Sequence, residues 1–338
     1  MSELQLRQIC FFFLLAILLT VGACAAPVYP RYQPAAEDSL GAARLCKNCF
    51  GTVPQHGYSD YQIDERTYIV TYQGFNPAGI GPWRYLPHEE WIAMTHDYVL
   101  YRSAELARSK GARQFVILHR DDSNQAWRVW KRYRDRYGRY DEMELIMGFT
   151  PGARVLIRLF ADQRASILES DGQVHEVDTL MARLTKSNAE LSNQQGVGLS
   201  HNYAPANDRR FVRWRVPVLL DDTGLEPSLR NRKSSLLDTE IIEDTRGVFK
   251  VVQWSRSPLS PIDLLRECIR IADQEGYPVY KLEDWTTAEY RPGRSWNDWN
   301  DWSAWFRTKA RLVLQHQSEP NSLDPVFVVD EIRENVMR

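Results

Sequence analysis

The chain has 338 residues, 43% of them apolar and 25% charged, the balance of a packed globular protein of about two domains. Its 42 basic against 44 acidic side chains leave a net charge of -2, which excludes a global field drawing it to nucleic acid. A mean hydropathy of -0.46 excludes a polytopic membrane protein, so a charged partner has to be met by a local patch.

Arg7 and the amino terminus precede an uncharged run of 14 residues from Ile9 to Gly22. As a helix this run spans about 21 Å, short of a bilayer core of about 30 Å, so it reads as an export signal. It closes with Thr20-Val21-Gly22-Ala23-Cys24, which resembles the bacterial lipobox. That resemblance implies cleavage of residues 1–23 as a lipoprotein signal peptide and attachment of lipid to Cys24. Ordinary secretory cleavage after Ala25 is the second reading, because Ala23-Cys24-Ala25 is also a small-x-small site. Ala25, standing where an Asp would act as a retention signal, implies by the same resemblance the periplasmic face of the outer membrane. The membrane is thus an expected partner through lipid on Cys24, and several buried acyl chains hold a protein on one leaflet almost permanently.

Residues 24–56 read as a tether rich in Pro, Tyr and Ala, with Cys46 and Cys49 near its end. An oxidising compartment favours a disulfide between this C-x-x-C pair. A metal site and a redox site are the alternatives, yet only His56 lies near as a further ligand, so no metal and no cofactor is expected. Cys268 falls on an apolar helical stripe and is expected to pack as a small buried residue.

Two stretches then follow the same order. Thr67 to Gln73 alternates as a strand, His88 to Lys110 has helical spacing closed by Gly111, and Phe115 to His119 and Ala153 to Phe160 are strands. A short helix over Val177 to Leu184 ends the series. The second series has a strand at Val248 to Trp254, a helix from Pro261 to Glu275 closed by Gly276, and strands at Pro278 to Leu282 and Ala310 to Leu314. Its closing helix is placed at Val328 to Arg333. The expected fold is therefore α+β, as two copies of a β-α-β-β-α unit, each a helix packed on a small mixed sheet. The units are placed at 57–186, with a basic-aromatic insertion at 123–148, and at 247–338, with a Trp-rich insertion at 285–306. Residues 187–246 link them and carry an extra strand within Arg210 to Leu220, which Pro217 assigns to an edge or an end.

Gly57-Tyr58-Ser59, Tyr68-x-Val70-x-Tyr72-x-Gly74 and Leu100-Tyr101-Arg102-x-Ala104-Glu105-Leu106 resemble a family of small bacterial lipoproteins of uncharacterised function. The resemblance covers residues 57 to 184 and, more faintly, the second copy, and it implies a lipobox paired with one such unit, here doubled. It brings no catalytic residue. The second copy has Arg266, Glu267 and Arg270 in place of the Tyr-Arg-x-Ala-Glu pattern.

Two segments are candidate binding surfaces. Trp127 to Tyr140 holds six basic residues, Arg128, Arg132, Arg134 and Arg136 among them, against one acid. Behind an export signal, that pattern favours anionic lipid, lipopolysaccharide or acidic peptidoglycan stems over nucleic acid, because guanidinium groups bind phosphate bidentately. A long hairpin with solvated charges is the plainer reading. Trp296, Trp299, Trp302 and Trp305 recur every third residue, which spreads four indoles over half of a helix; the functional reading is a glycan-stacking platform or a surface that docks a protein or lipid headgroups. An insertion folded over the second sheet is the alternative.

Catalytic signatures are scarce. No H-E-x-x-H, G-x-S-x-G or phosphate-binding loop occurs, and His88-Glu89-Glu90 reads as a helix start, where acids favour the macrodipole. The expectation is a lipid-anchored envelope protein acting as a binding or structural module, whose partner is peptidoglycan, anionic lipid or an envelope protein. The alternative is a glycan-active enzyme using Glu283 and Asp284, or Asp298 and Asp301, beside the Trp-rich segment.

Overall fold

The computed structural model of the chain describes residues 32–35, 49–50, 57–74, 88–161, 174–187, 218–219, 238–255, 260–290, 305–317 and 325–338. The fold is α+β. The first half contributes β1 (Cys49–Phe50), β2 (Gly57–Gln62), β3 (Thr67–Gln73), α1 (His88–Ser109), β4 (Gln114–Arg134), β5 (Tyr140–Phe160), β6 (Val174–Glu176) and α2 (Val177–Ser187). The second contributes β7 (Val218–Leu219), β8 (Asp238–Thr245), β9 (Val248–Ser255), α3 (Pro261–Glu275), β10 (Val279–Tyr290), β11 (Trp305–Gln315), β12 (Val326–Val328) and α4 (Val329–Met337).

Each half forms one sheet. The first runs β1-β4-β5-β3-β2 with β6 also on β4, and the second runs β12-β10-β11-β9-β8 with β7 also on β10. Every pairing of the first sheet is antiparallel. In the second, β7 alone among the described strands runs parallel to its neighbour, pairing Val218 with Glu289 at the end of β10. That is the edge position which Pro217 favours. The strand that begins at Asp238 lies in the stretch read as linker and pairs along β9.

Local chemistry accounts for the helix boundaries. Ser260 caps α3: its side chain accepts from the Ile262 amide, while the Asp263 carboxylate accepts from the Ser260 amide. This reciprocal pair satisfies donors that the first turn leaves open, and Pro261 at the first helical position presets φ. Gly276 ends α3 and Gly111 follows α1, with φ of 74° and 73°, a left-handed conformation that glycine adopts without steric cost.

Period-two alternation on β3 sends Tyr68, Val70 and Tyr72 into a cluster with Met94, Tyr98 and Tyr101 of α1 and Leu180 and Leu184 of α2. Ile69, on the opposite face, joins Ile63 and Leu156 in the cluster built by α3, α4 and the second sheet. Burying each such side chain contributes about 1.5–3 kcal/mol, so the back of the first sheet helps to hold the halves together. Among the described residues the two sheets share no strand pairing. Polar contacts reinforce the joint. Arg158 donates to the Val326 carbonyl at 2.6 Å and to Thr67 Oγ1 at 3.3 Å, with its guanidinium 5.5 Å from the centre of the Phe327 ring. Asn335 donates to the Ile63 carbonyl at 3.1 Å, and the Tyr61 hydroxyl donates to the Asn335 carbonyl.

Candidate functional site

The strands expected at Phe115 to His119 and Ala153 to Phe160 extend much further, for β4 and β5 each run 21 residues. Their pairing continues from Gln114 opposite Phe160 to Arg134 opposite Tyr140. Beyond Ser123 and Gly152, where β3 ends at Gln73, the pair leaves the sheet as a two-stranded ribbon flanked only by β1 at Trp130 and Lys131 among the described strands. The basic-aromatic insertion is this ribbon.

Its turn is tightly specified. The Asp135 carboxylate accepts from the amides of Tyr137 and Arg139, each at 2.8 Å, and the Asp135 amide donates to the Arg139 carbonyl at 2.8 Å. Gly138 supplies a φ of 79°, and Arg134 Nε donates to its carbonyl at 2.9 Å. An Asx-type turn with glycine in the left-handed region closes the strands without frayed donors.

Around this turn the surface is aromatic and basic. Tyr137 and Tyr140 are 67% and 72% exposed, with Tyr133 and Met143 also exposed beside them. Arg136 and Arg139 stand over the Tyr137 ring at 4.8 and 5.4 Å, and Arg134 stands over Tyr140 at 5.8 Å. Arg132 pairs with Glu142 across the ribbon at 2.9 Å and Arg139 with Asp135 at 3.1 Å. The Tyr133 hydroxyl donates to Asp141 at 3.1 Å, which raises its pKa. Of the predicted residues, Arg132, Arg134 and Arg136 are therefore brought together at one tip. Arg128 lies opposite Ile146 in β4, and only its backbone is described.

Sequence reasoning named the cations and left out Tyr137, Tyr140 and Met143 as individual site residues. Their signal was in the alternation of aromatic with basic residues along a strand. Trp296, Trp299 and Trp302, like Asp298, Asp301, Cys24 and Cys46, lie outside the described residues. The backbone of Trp305 opens β11 opposite Tyr290, and that of Cys49 pairs with Lys131. Glu283 bonds to Arg311 across the strand pair and lies 3.4 Å from Lys281 on its own strand, and Asp284 sits at a bulge with φ of 50°. Cys268 is fully buried, which pushes its thiol pKa up.

A second assembly collects the residues that carried the family resemblance. Tyr32, from the stretch read as a plain tether, packs among Tyr58, Tyr98 and Tyr101 with ring centroids 4.9 to 5.6 Å away. Its hydroxyl donates to Glu105, and burial together with that carboxylate raises its pKa far above the ordinary range. Arg102 reaches Asp60 and, at 3.2 Å, Glu105, with its guanidinium 4.5 Å from the Tyr58 ring centre. Pro34 bridges in parallel to Tyr58, the Tyr58 amide donates to the Gln33 carbonyl, and the Ala35 amide donates to the Tyr58 carbonyl. A β-carbon on Gly57 would lie 2.5 Å from the Gln33 oxygen, and its φ is 118°, so glycine is required for this close approach. The motif residues form a latch that holds residues 32–35.

A third cluster joins the two sheets. His119, Asp121 and Arg154 share the face of the first sheet that carries Leu156, with Asp121 3.9 Å from His119 and 3.8 Å from Arg154. The His119 ring stacks on Trp285 at 4.1 Å, and its Nε2 lies 3.4 Å from Thr287 Oγ1, which in turn is 3.2 Å from Thr308 Oγ1. Burial, helped by the charges of Arg154 and Arg120, lowers the His119 pKa to about 3. Burial also raises that of Asp121 to about 6 against the pull of Arg154. A histidine kept neutral at physiological pH serves here as an aromatic and hydrogen-bonding joint between halves. Among the described residues no three His, Cys, Asp or Glu side chains are grouped to hold a metal ion, and no helix is long and apolar enough to cross a membrane.

Comparison of the chain with family models, with curated proteins and with solved structures gives no match.

Proposed function

We propose that this chain is a lipid-anchored envelope protein, exported by residues 1–23, acylated on Cys24, and acting as a binding module whose contact surface is the tip of the β4-β5 ribbon. One observation carries the reading. Of the seven large apolar side chains exposed among the described residues, four, Tyr133, Tyr137, Tyr140 and Met143, lie on this ribbon, interleaved with Arg132, Arg134, Arg136 and Arg139. Aromatic and arginine side chains are the residues that dominate binding hot spots. The equal order of connection in the two sheets supports descent of the halves from a duplicated unit.

Two measurements test this. Acylation is read by mass spectrometry of the mature amino terminus, which should lose its lipid in Cys24→Ser. Retention of the chain on isolated peptidoglycan sacculi, envelope protein fractions and lipid vesicles is read for the parent and for Tyr137→Ser/Tyr140→Ser. Both tyrosines are exposed, so the variant should melt like the parent and lose retention. Equal retention of the two on every fraction would sink the tip as the contact surface.

A further inference from the structure

The latch and the ribbon lie at one end of the same sheet. Residues Tyr58, Tyr72, Ala153 and Asp122 form one row across β2, β3, β5 and β4, and Pro34 is paired with Tyr58 on that row. Because Pro34 runs parallel to Tyr58, and β2 leads away from the ribbon end toward Gln62, residues 32–35 enter this row from the ribbon end. The side of the row on which Tyr32 precedes Pro34, toward Cys24 in sequence, is therefore the side to which the ribbon projects.

Their reaches match. Cys24 stands ten residues before Pro34, a stretch that spans at most about 35 Å when fully extended. Arg134 stands twelve residues beyond Asp122, a rise of about 40 Å in a strand. With five strands counted across, from the docked segment to β4, the two points are separated sideways by about 19 Å. Even a fully stretched tether leaves the ribbon turn at the depth of the acylated cysteine, and any slack brings it deeper.

We infer that the ribbon tip is a membrane-contacting finger, which seats Tyr137 and Tyr140 among the anionic phospholipid headgroups of the same leaflet that holds the Cys24 lipid. This rests on the reading above that Cys24 is acylated and that the tip is the contact surface. Tyrosine, apolar in its ring and polar at its hydroxyl, belongs at the membrane-water interface. Arg134 and Arg136 have no ion-pair partner among the described residues, and each stands over a tyrosine ring. That arrangement holds the guanidinium beside the aromatic surface, where a headgroup phosphate accepts its remaining donors. Each such cation raises affinity for an anionic surface about fivefold. The latch sets the direction: Glu105 and three aromatic rings fix Tyr32 on the ribbon side of the row.

The test is co-sedimentation of the mature chain carrying Cys24→Ser, so that no acyl group contributes, with vesicles of phosphatidylglycerol and phosphatidylcholine, and with phosphatidylcholine alone. The expected result is binding to the anionic vesicles that weakens with salt and falls at least tenfold in Arg134→Glu/Arg136→Glu and in Tyr137→Ser/Tyr140→Ser, with unchanged melting temperatures. Absence of binding by the parent, or equal binding by parent and both variants, overturns the inference. If vesicles give nothing while the tip variants lose retention on sacculi or envelope proteins, the finger falls and the broader reading stands. If no fraction distinguishes them, both fall.

Discussion

The imidazole of His119, on the first sheet, lies against the indole of Trp285, on the second, with ring centroids 4.1 Å apart and planes 9° from parallel. The stack joins two sheets that share no strand among the described residues, and it removes from water a side chain that titrates near physiological pH when exposed.

Acid should therefore loosen the joint. In the unfolded chain His119 takes up a proton as pH falls through about 6.5, whereas in the folded chain it resists until about 3. His175, half-buried against Phe115, behaves alike with a pKa that desolvation lowers to about 4. The histidines' contribution to stability is full above pH 6.5 and declines below it, by about 1.4 kcal/mol per pH unit for each histidine. Urea unfolding at stepped pH should show His119→Phe flattening part of this slope. A slope identical to that of the parent would mean that the ring is protonated in the folded state.

Asp121 works in the opposite sense. Its carboxyl ionises near 3.8 when unfolded and near 6 when folded, so its contribution is present below 3.8 and lost as pH rises through 6. Asp121→Asn, which keeps the neutral shape, should stabilise the chain near neutral pH by about 1–3 kcal/mol and leave it unchanged below pH 3.8. Destabilisation near neutral pH would show that Arg154 holds the charged form.

The latch should open on a single change. Tyr32→Ala removes a ring packed on three others, and Gly57→Ala places a β-carbon against the Gln33 carbonyl. Removing a fully buried aromatic costs about 3–5 kcal/mol; Tyr32 is partly buried, so a smaller loss, felt as release of residues 32–35, is expected. Hydrogen exchange at the Tyr58 amide, bonded to the Gln33 carbonyl, should accelerate in both variants while the Tyr72 amide stays protected. Unaltered Tyr58 exchange would show that the latch holds by other contacts.

At the start of α3, Ser260→Ala deletes the side-chain acceptor for the Ile262 amide and should cost about 1 kcal/mol. Thermal melting checks it. Because Leu264 and Cys268 of this helix are buried in the cluster shared with the first sheet, the loss should appear in one cooperative transition.

Elements whose reason is local were legible. Alternation in Thr67 to Gln73, and Gly111 and Gly276 after their helical stripes, marked β3 and the ends of α1 and α3, because burial of one face and a left-handed stop depend on neighbours along the chain. By contrast, β2 has only Gly57 buried and β8 is largely exposed, so neither carries an apolar alternation. Their backbones become strands because β3 and β9 offer unpaired donors and acceptors beside them.

The ribbon shows the division within one segment. Its composition, arginine alternating with tyrosine around Gly138, was readable as a basic-aromatic surface. That it projects past the sheet, and does so at the end where Pro34 meets Tyr58, follows from register between strands far apart in sequence. The docking of Tyr32 on Glu105, 73 residues away, was likewise hidden, since a lone tyrosine in a proline-rich stretch has no periodicity to reveal it. Sequence by itself determined which residues can be buried, capped or charged, because those properties belong to single side chains and their near neighbours. Tertiary structure alone decided which of them meet, because pairing register and the packing of one sheet's back against the other half depend on contacts that no local pattern encodes.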